Sequence, residues 1–289
     1  MKIKDLFEKK TVFSFEVFPP KKTSSVETIY RTLDELKDLK PDFISVTFGA
    51  GGSSNNKFAC DVASKIKEYG ITPMIHLPCI NYTKQEISAV IEEIKKREIE
   101  NILALRGDIV PNVEPKKEFL HASDLINYIN TQGKFDIAGA CYPECHPDSD
   151  SIEQDIENLK IKVEAGADHL ISQLFFDNDY FYSFREKAVK AGINVPIEAG
   201  IMPVVNKNQI ERMVTTCGAS LPHKFVKIMQ KYEHNPEALR DAGIAYAVNQ
   251  IVDLIASGAD GIHLYTMNNS YVAGKITEAV SGLITNDKA

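Results

Sequence analysis

The chain has 289 residues, of which 44% are hydrophobic and 25% charged, and a formal net charge of −7. This is the composition of a globular protein with enough length for a large core, and its acidic balance argues against nucleic acid or an anionic membrane as a partner. Residues 1–10 lack the apolar segment of a signal peptide and no stretch approaches membrane-spanning length, so we expect a cytoplasmic protein. The five cysteines have no paired spacing and are expected to be free thiols.

Short apolar runs with the residue types of β-strands recur along the chain, and most end in a polar residue. The first seven runs end about 30 residues apart, the length of a strand plus a crossover helix, and the last step is about twice as long. The eight predicted strands cover residues 11–18, 43–47, 72–76, 101–106, 135–142, 169–173, 195–200 and 261–265.

The segments between the runs have the pattern of amphipathic helices. Apolar residues recur three and four positions apart, as in residues 26–36. Thr83 with Glu86, and Ser151 with Gln154, have the spacing of helix-capping boxes. The long last step should contain extra helices, predicted at 209–217, 221–231 and 236–256.

Eight strand-helix units in a chain of this length predict an α/β fold, a (β/α)8 TIM barrel. We expect residues 1–289 to form one domain, with extra helices between strands 7 and 8. An open doubly wound sheet is the alternative, but no G-x-G-x-x-G turn follows the first strand. In a barrel the C-terminal strand ends meet at one mouth, so the polar residues there predict a site: Glu16, Thr47, His76, Arg106, Asp108, Tyr142, Gln173 and Tyr265.

Glu16 is a lone carboxylate inside the apolar run 11–18. An acid in such surroundings is costly to ionise, which suits a general acid. The run alone leaves open a plainer interpretation, in which the side chain points to solvent or to a lysine. His169 and His263 also lie inside predicted strands, and we interpret them as packed core residues rather than members of the site.

The sequence lacks the residue patterns needed for three chemistries that are common in barrels. None of the eight runs ends in the lysine that a Schiff-base aldolase needs, and no nucleophile elbow is present for a serine or cysteine triad. His76 stands alone on its strand, and the spacing of Cys141, Cys145 and His146 does not match a tetrahedral zinc site, so we expect no metal. The polar side chains that remain are carboxylic acids, an amide, phenols and an imidazole. Such a set suits the binding of a planar heterocycle and the transfer of a proton.

Five motifs in the chain resemble, in order and in spacing, those of the bacterial methylenetetrahydrofolate reductase family. Each is weak alone, but the five together are specific, and the match runs from about residue 11 to the last strand. They are FSFEVFPP at 13–20, SVTFGA at 45–50, ALRGD at 104–108, YPECHP at 142–147 and QLFFD at 173–177.

The resemblance implies an FAD-containing barrel that works in two stages, in one-carbon metabolism and methionine biosynthesis. NAD(P)H, in the first place NADH, passes hydride to FAD and leaves, and 5,10-methylenetetrahydrofolate then takes its place and is reduced to 5-methyltetrahydrofolate; the choice between NADH and NADPH stays open. By the same resemblance Glu16 is the general acid that helps to open the imidazolidine ring, and Asp108 lies near the flavin and the pterin. The implied substrate-binding residues are Glu16, Asp108, Gln173, Gln209, Tyr265 and Asn269.

The resemblance also implies a set of FAD-contacting positions. A glycine directly after a strand, as at Gly107, permits close approach of the backbone to a ligand. Lys162, Asp155 and Asn158 would otherwise be interpreted as ordinary residues of a solvated helix face. The implied positions are Thr47, His76, Arg106, Gly107, Asp108, His121, Ala122, Tyr142, His146, Asp155, Asn158 and Lys162.

The chain departs from the family pattern at two positions. Met213 stands where an aromatic residue often stacks on the nicotinamide, and Asn269 stands where an arginine grips the folate tail. Two alternatives therefore stay open. In one, the barrel binds FAD and folate but needs an electron-donating partner subunit to turn over; in the other, it is a flavin-free lyase. The sequence also leaves open whether the chain forms a homo-oligomer.

Overall fold

The computed structural model describes residues 1–20, 26–48, 53–109, 114–206, 209 and 217–284, with the backbone alone for 53–56. Eight parallel strands close into a barrel in sequential order, and β1 pairs with β8. The predicted (β/α)8 fold is therefore confirmed. The strands are β1 (Val12–Val17), β2 (Phe43–Val46), β3 (Thr72–Pro78), β4 (Asn101–Leu105), β5 (Asp136–Cys141), β6 (His169–Ser172), β7 (Ile197–Ile201) and β8 (Gly261–Tyr265).

Helices follow the strands and cover the outside of the barrel. The two extra helices predicted at 221–231 and 236–256 are present, whereas residues 210–216 of the predicted helix 209–217 lie outside the described residues. Within the described ranges, no helix has the length and apolar character needed to cross a bilayer. The helices are α1 (Val26–Leu36), α2 (Ser53–Glu68), α3 (Lys84–Lys96), α4 (Ala122–Gln132), α5 (Ile152–Glu164), α6 (Asn178–Lys190), α7 (His223–Tyr232), α8 (Pro236–Ala256) and α9 (Ser270–Ile284), with 3-10 turns at Ile3–Leu6 and Lys37–Leu39.

Helix starts follow the local sequence signals. Thr83 and Glu86 form the predicted reciprocal capping box at the start of α3. Ser151 caps α5 by accepting a hydrogen bond from the Gln154 backbone N–H at 3.2 Å. Each cap satisfies a backbone donor that has no partner within its own helix, and so fixes where the helix begins.

The N-terminal turn Ile3–Leu6 closes the end of the barrel opposite to the strand C-termini. Ile3 and Phe7 are buried in an apolar cluster with inward-facing residues of several strands. The Lys4 backbone N–H donates to Asp136 at 2.9 Å, and the Lys4 ammonium pairs with Asp168 at 2.7 Å. Burial raises the pKa of Asp136 to about 6. Among the described residues this end of the barrel is therefore filled, and the space for a ligand lies at the C-terminal ends of the strands.

Truncating the side chain that fills this end should destabilise the fold. Because Ile3 has no exposed surface, Ile3→Ala should lower the free energy of unfolding by about 2 to 4 kcal/mol through lost burial and a residual cavity. Urea denaturation followed by circular dichroism measures this. The matched control is Ile161→Ala on α5, where the side chain is 55% exposed and the change should stay within about 0.5 kcal/mol. Equal effects of the two substitutions would contradict the packing described for the N-terminal turn.

Candidate active site

A cavity of about 1630 Å³ opens at the C-terminal ends of the strands. It exceeds the roughly 300 to 1,000 Å³ of an ordinary small-molecule pocket, so it has room for a large ligand or for two ligands together. The structure brings most of the predicted site residues to its wall: Glu16, Thr47, His76, Arg106, Gly107, Asp108, His121, Ala122, Tyr142, His146, Asp155, Asn158, Lys162, Gln173 and Tyr265.

Glu16 lies near the end of β1 with its side chain 19% exposed and flanked by two imidazoles. Its Oε2 is 3.7 Å from Nε2 of His76 and 3.9 Å from Nε2 of His263. Burial lowers the pKa of His76 to about 4, although the neighbouring carboxylate opposes the shift, so this imidazole is neutral at pH 7. Glu16 thus faces the cavity beside two imidazoles that lie just beyond hydrogen-bond distance of its carboxylate.

The backbone around Glu16 is fixed by the loop after β8, which the sequence analysis did not identify. The Thr266 hydroxyl donates to the Glu16 carbonyl oxygen at 2.6 Å. Asn268 holds Phe18 from both sides, accepting from its N–H at 3.0 Å and donating to its carbonyl oxygen at 2.8 Å. Asn268 has a φ of +55°, a conformation that asparagine tolerates better than most residues. These contacts attach the end of β1 to the end of β8.

The turn after β4 brings backbone close to the cavity. Gly107 has a φ of +83°, and a Cβ added there would lie 2.7 Å from the Pro78 Cβ, so no other residue fits without displacement. Asn81 donates from Nδ2 to the Asp108 carbonyl oxygen at 2.9 Å and holds the next residue of the turn. The conformation of this turn therefore depends on the glycine.

Charged and aromatic groups from β4, β5 and α5 meet on one side of the cavity. The Arg106 guanidinium pairs with Asp148 at 2.7 Å, and Asp155 accepts the His146 backbone N–H at 3.0 Å. The rings of Tyr142 and His146 pack edge to face with centroids 4.5 Å apart. Burial and the nearby guanidinium lower the pKa of His146. This side of the cavity offers a cation and ring edges to a bound group.

Lys162 points inward from α5 rather than to solvent. Its ammonium donates to the Ala140 carbonyl oxygen at 2.5 Å, and its aliphatic stem crosses Gly139, where an added Cβ would lie 2.8 Å from the lysine Cδ. Burial lowers the pKa of Lys162. The default interpretation of this residue as a surface lysine is therefore wrong, because the small Gly139 leaves room for the side chain to enter the wall.

Tyr265 and Gln173 complete the wall on the side of β6 to β8. The Tyr265 hydroxyl donates to the Ser172 carbonyl oxygen at 2.7 Å, and burial raises its pKa well above the usual range. The Gln173 Oε1 accepts from the Leu174 N–H at 2.9 Å, which fixes the amide orientation. At Gly200 an added Cβ would lie 2.2 Å from the Ser172 carbonyl oxygen and 2.8 Å from the Tyr265 ring, so the missing side chain makes space for the tyrosine.

Two predicted substrate residues are not among those that line this cavity. The Gln209 Oε1 accepts the Val205 backbone N–H at 2.9 Å. The Asn269 Oδ1 accepts the Val272 N–H at 3.1 Å in the first turn of α9. The predicted role of each in ligand binding stays a prediction. Met213 lies outside the described residues.

Below Glu16, the barrel interior contains a polar group that the sequence analysis missed. The Ser14 Oγ lies 2.7 Å from Glu198 Oε2 and 2.7 Å from His263 Nδ1. Glu198 is fully buried, and burial raises its pKa to about 8. His263 is fully buried and does not line the cavity, as predicted for a packed core residue, although its Nε2 lies 3.9 Å from Glu16 Oε2. The missed signal was a second lone carboxylate inside an apolar strand.

None of the five cysteines, all of which lie in the described part of the chain, forms a disulfide with another. In the part of the chain that the structure describes, no three His, Cys, Asp or Glu residues group as ligands for a metal ion.

Comparison with known proteins gives one consistent family. A family model described as methylenetetrahydrofolate reductase matches residues 2–281. A 5,10-methylenetetrahydrofolate reductase of Pectobacterium carotovorum is 33% identical, covering 89% of this chain and 86% of the relative. A protein of Arabidopsis thaliana named methylenetetrahydrofolate reductase (NADH) 1 is 36% identical over 92% of this chain, which spans 48% of that longer relative.

A solved structure resembles the fold at low sequence identity. It is an uncharacterised protein from Clostridium thermocellum described as binding two copies of 5-methyl-5,6,7,8-tetrahydrofolic acid. The TM-score is 0.70 at 15% identity, and the match covers 97% of each chain. At this identity the likeness establishes the shared fold.

The space that Gly200 leaves for Tyr265 can be tested directly. Gly200→Ala should destabilise the protein by about 1 to 3 kcal/mol, because the new methyl group collides with the Ser172 carbonyl and forces the tyrosine ring to move. Thermal unfolding measures the loss. The control is Gly282→Ala in α9, where nothing described lies within 4 Å of an added Cβ and stability should hold or rise by up to about 1 kcal/mol. An unchanged melting temperature for Gly200→Ala would contradict the geometry.

Proposed function

The chain belongs to the methylenetetrahydrofolate reductase family, and on that premise we propose that it reduces 5,10-methylenetetrahydrofolate to 5-methyltetrahydrofolate through bound FAD, with NADH as the electron donor. The observation that carries the proposal is the position of Glu16. A partly buried carboxylate faces a large cavity at the mouth of the barrel, beside His76 and His263. We place both ligands in this one cavity of a single-domain barrel.

The wall of the cavity fits a flavin dinucleotide. FAD carries a diphosphate and a planar ring system, and Arg106 and Lys162 supply positive charge while Gly107 allows backbone to lie against the ring or its chain. The Nε2 of His76 is buried without a hydrogen-bond partner among the described residues, so it is suited to a ligand atom. When bound, FAD accepts hydride from the donor and supplies it to the folate.

Glu16 supplies the proton of the folate half-reaction. Its carboxyl group protonates the imidazolidine nitrogen that leaves when the ring opens, and the one-carbon unit becomes an electrophile for hydride. The carboxylate that remains has the Nε2 atoms of His76 and His263 at 3.7 and 3.9 Å, beyond hydrogen-bond distance but close enough for an imidazole N–H to stabilise the charge electrostatically.

Asp108 and Gln173 would orient the pterin. Asp108 ends the fixed turn after β4, and Gln173 follows β6, so they approach the cavity from two directions. An amide offers a donor and an acceptor, as a pterin edge requires. Because the Leu174 N–H holds the Gln173 Oε1, the amide NH2 is the end that we expect to face the ligand.

The position of Glu16 does not identify the electron donor. One sequence feature favours a partner protein as a second candidate beside NADH. Met213 replaces an aromatic residue that would stack on a nicotinamide, and a thioether makes a less planar contact. The name of the Arabidopsis relative supports NADH. The alternative is a barrel subunit that binds FAD and folate but takes its electrons from a partner protein.

Replacing the proposed acid should separate the two half-reactions. Glu16→Gln should leave reduction of the flavin by the donor within about twofold, and slow oxidation of the reduced flavin by 5,10-methylenetetrahydrofolate about a hundredfold to ten-thousandfold, because the amide has no acidic proton to give. Anaerobic stopped-flow absorbance measures each half-reaction alone. The control is Glu278→Gln on the outer face of α9, which should change neither rate. Loss of both half-reactions in Glu16→Gln, with flavin still bound, would contradict the assigned role.

A visible spectrum distinguishes the two donors. If NADH is the donor, adding it without oxygen to the FAD-loaded protein should bleach the flavin band, because hydride transfer removes the oxidised chromophore. A band that persists with NADH but bleaches with dithionite would favour the partner-subunit alternative. Protein that stays colourless after reconstitution with FAD would contradict the flavin proposal and favour a flavin-free lyase.

A further inference from the structure

A chain of hydrogen-bonding groups runs from the barrel interior to Glu16. Ser14 Oγ is 2.7 Å from both Glu198 Oε2 and His263 Nδ1. On the other side of the imidazole ring, His263 Nε2 is 3.3 Å from Ser45 Oγ and 3.9 Å from Glu16 Oε2. The four groups below Glu16 are completely buried, so the contacts between them are sealed from solvent.

Ser14 has one hydroxyl hydrogen, and its two short contacts, both at 2.7 Å, are to Glu198 and His263, while the Ile262 carbonyl oxygen is a longer acceptor at 3.4 Å. When Glu198 is ionised, the hydroxyl donates to the carboxylate, and the Ser14 oxygen accepts from Nδ1–H of His263. When Glu198 is protonated, its O–H donates to Ser14 and the serine hydroxyl donates to Nδ1. The neutral imidazole then carries its proton on Nε2. The protonation state of Glu198 therefore selects the His263 tautomer.

We propose that Glu198 is a positioning residue that acts on Glu16 through Ser14 and His263, since its proton fixes the tautomer that turns an N–H toward Ser45 and the Glu16 carboxylate. That N–H stabilises the carboxylate left after Glu16 has given up its proton. With Glu198 ionised, the bare Nε2 lone pair faces the same carboxylate and repels it. The consequence for catalysis rests on the proposed function, whereas the tautomer selection does not.

The surroundings of Glu198 keep its proton in place at neutral pH. Burial raises its pKa to about 8, the Ser14 hydrogen bond opposes the shift, and the charges of Asp42 and Asp260 add to it. Asp42 is itself paired with Lys10 at 2.7 Å. On β6, Nε2 of His169 lies 3.9 Å from Glu198 Oε1, and burial lowers the pKa of this imidazole to about 3, so it brings no positive charge.

The groups that face His263 are also defined. They are Ser14, Ser45, Glu16, His76, which burial keeps neutral, and the aromatic rings of Phe43 and Tyr265. The Tyr265 hydroxyl stays protonated because burial raises its pKa well above the usual range. Burial raises the pKa of Glu198 to about 8, so this group changes its charge between pH 7 and 9 and would switch the tautomer.

The tautomer can be observed without any ligand. In protein labelled with 15N-histidine, the His263 signals, assigned by difference with His263→Asn, should report Nε2–H at pH 6.5 and change to Nδ1–H with a midpoint near pH 8. In Glu198→Gln the tautomer should not change with pH, because an amide does not titrate. One His263 tautomer from pH 6.5 to 9.5 in the wild type would overturn the proposal, even if Glu198→Gln failed to fold.

The effect on Glu16 is measured in the folate half-reaction. In the wild type its rate should fall about tenfold, with a midpoint near pH 8, to a lower plateau as Glu198 ionises, while flavin reduction by the donor keeps its own pH profile. Glu198→Gln should remove this alkaline fall. Ser14→Ala should remove it as well, because Glu198 still titrates but no longer reaches His263. An alkaline fall that persists in both variants would overturn the proposal.

Two comparisons separate this role from a structural one. Asp136→Asn changes another buried barrel carboxyl, whose pKa is raised to about 6, and should leave both the tautomer change and the alkaline fall intact.

The raised pKa of Glu198 makes the wild type lose stability as pH rises from about 4.5 through about 8, so its melting temperature should fall over this range relative to Glu198→Gln. If the tautomer switches but no folate is reduced at any pH, the proposed function fails and the positioning chain stands.

Discussion

The pairing of β1 with β8 is the contact on which the site depends. It closes the sheet, and its register sets Glu16 opposite Tyr265. On the other side of β1, Glu16 is level with Ser45 of β2. Since successive side chains of a strand point to opposite faces, a shift of one residue in this register would turn the carboxylate away from the cavity. The Thr266 and Asn268 hydrogen bonds hold the same two strand ends, so one junction fixes both closure and the proposed acid.

The barrel interior differs in character along its length. At the N-terminal end it is filled by the apolar side chains of Ile3 and Phe7, with the buried carboxyl group of Asp136 beside them. Between this end and the mouth, Ser14, His263 and Glu198 are buried and hydrogen-bonded to one another. Buried polar groups cost stability unless they are satisfied, and the Oε1 of Glu198 has no hydrogen-bond partner among the described residues. The unsatisfied carboxyl oxygen near Glu16 therefore lowers the folding stability of the protein, and such a local cost is typical of a functional site.

Much of this arrangement could be predicted from the sequence because it is set by periodicity. Strand recurrence determines a barrel, and a barrel brings strand ends together, so Glu16, Arg106 and Gln173 were placed correctly at the mouth. The position of Glu198 on β7 was not predicted, because a carboxylate away from the C-terminal end of a strand is not expected at the mouth of a barrel. The inward turn of Lys162 depends on the space above Gly139, which belongs to a neighbouring strand and leaves no local signal.

The central claim is that one carboxyl group at the mouth of the barrel protonates a folate that lies against a flavin. A crystal structure of the protein with FAD and 5-methyltetrahydrofolate tests it most directly. The account predicts the pterin between Asp108 and Gln173, with the Glu16 carboxyl group about 2.6 to 3.2 Å, or one water molecule, from a folate nitrogen. A folate bound outside this cavity, or a Glu16 side chain separated from it by the flavin, would contradict the account.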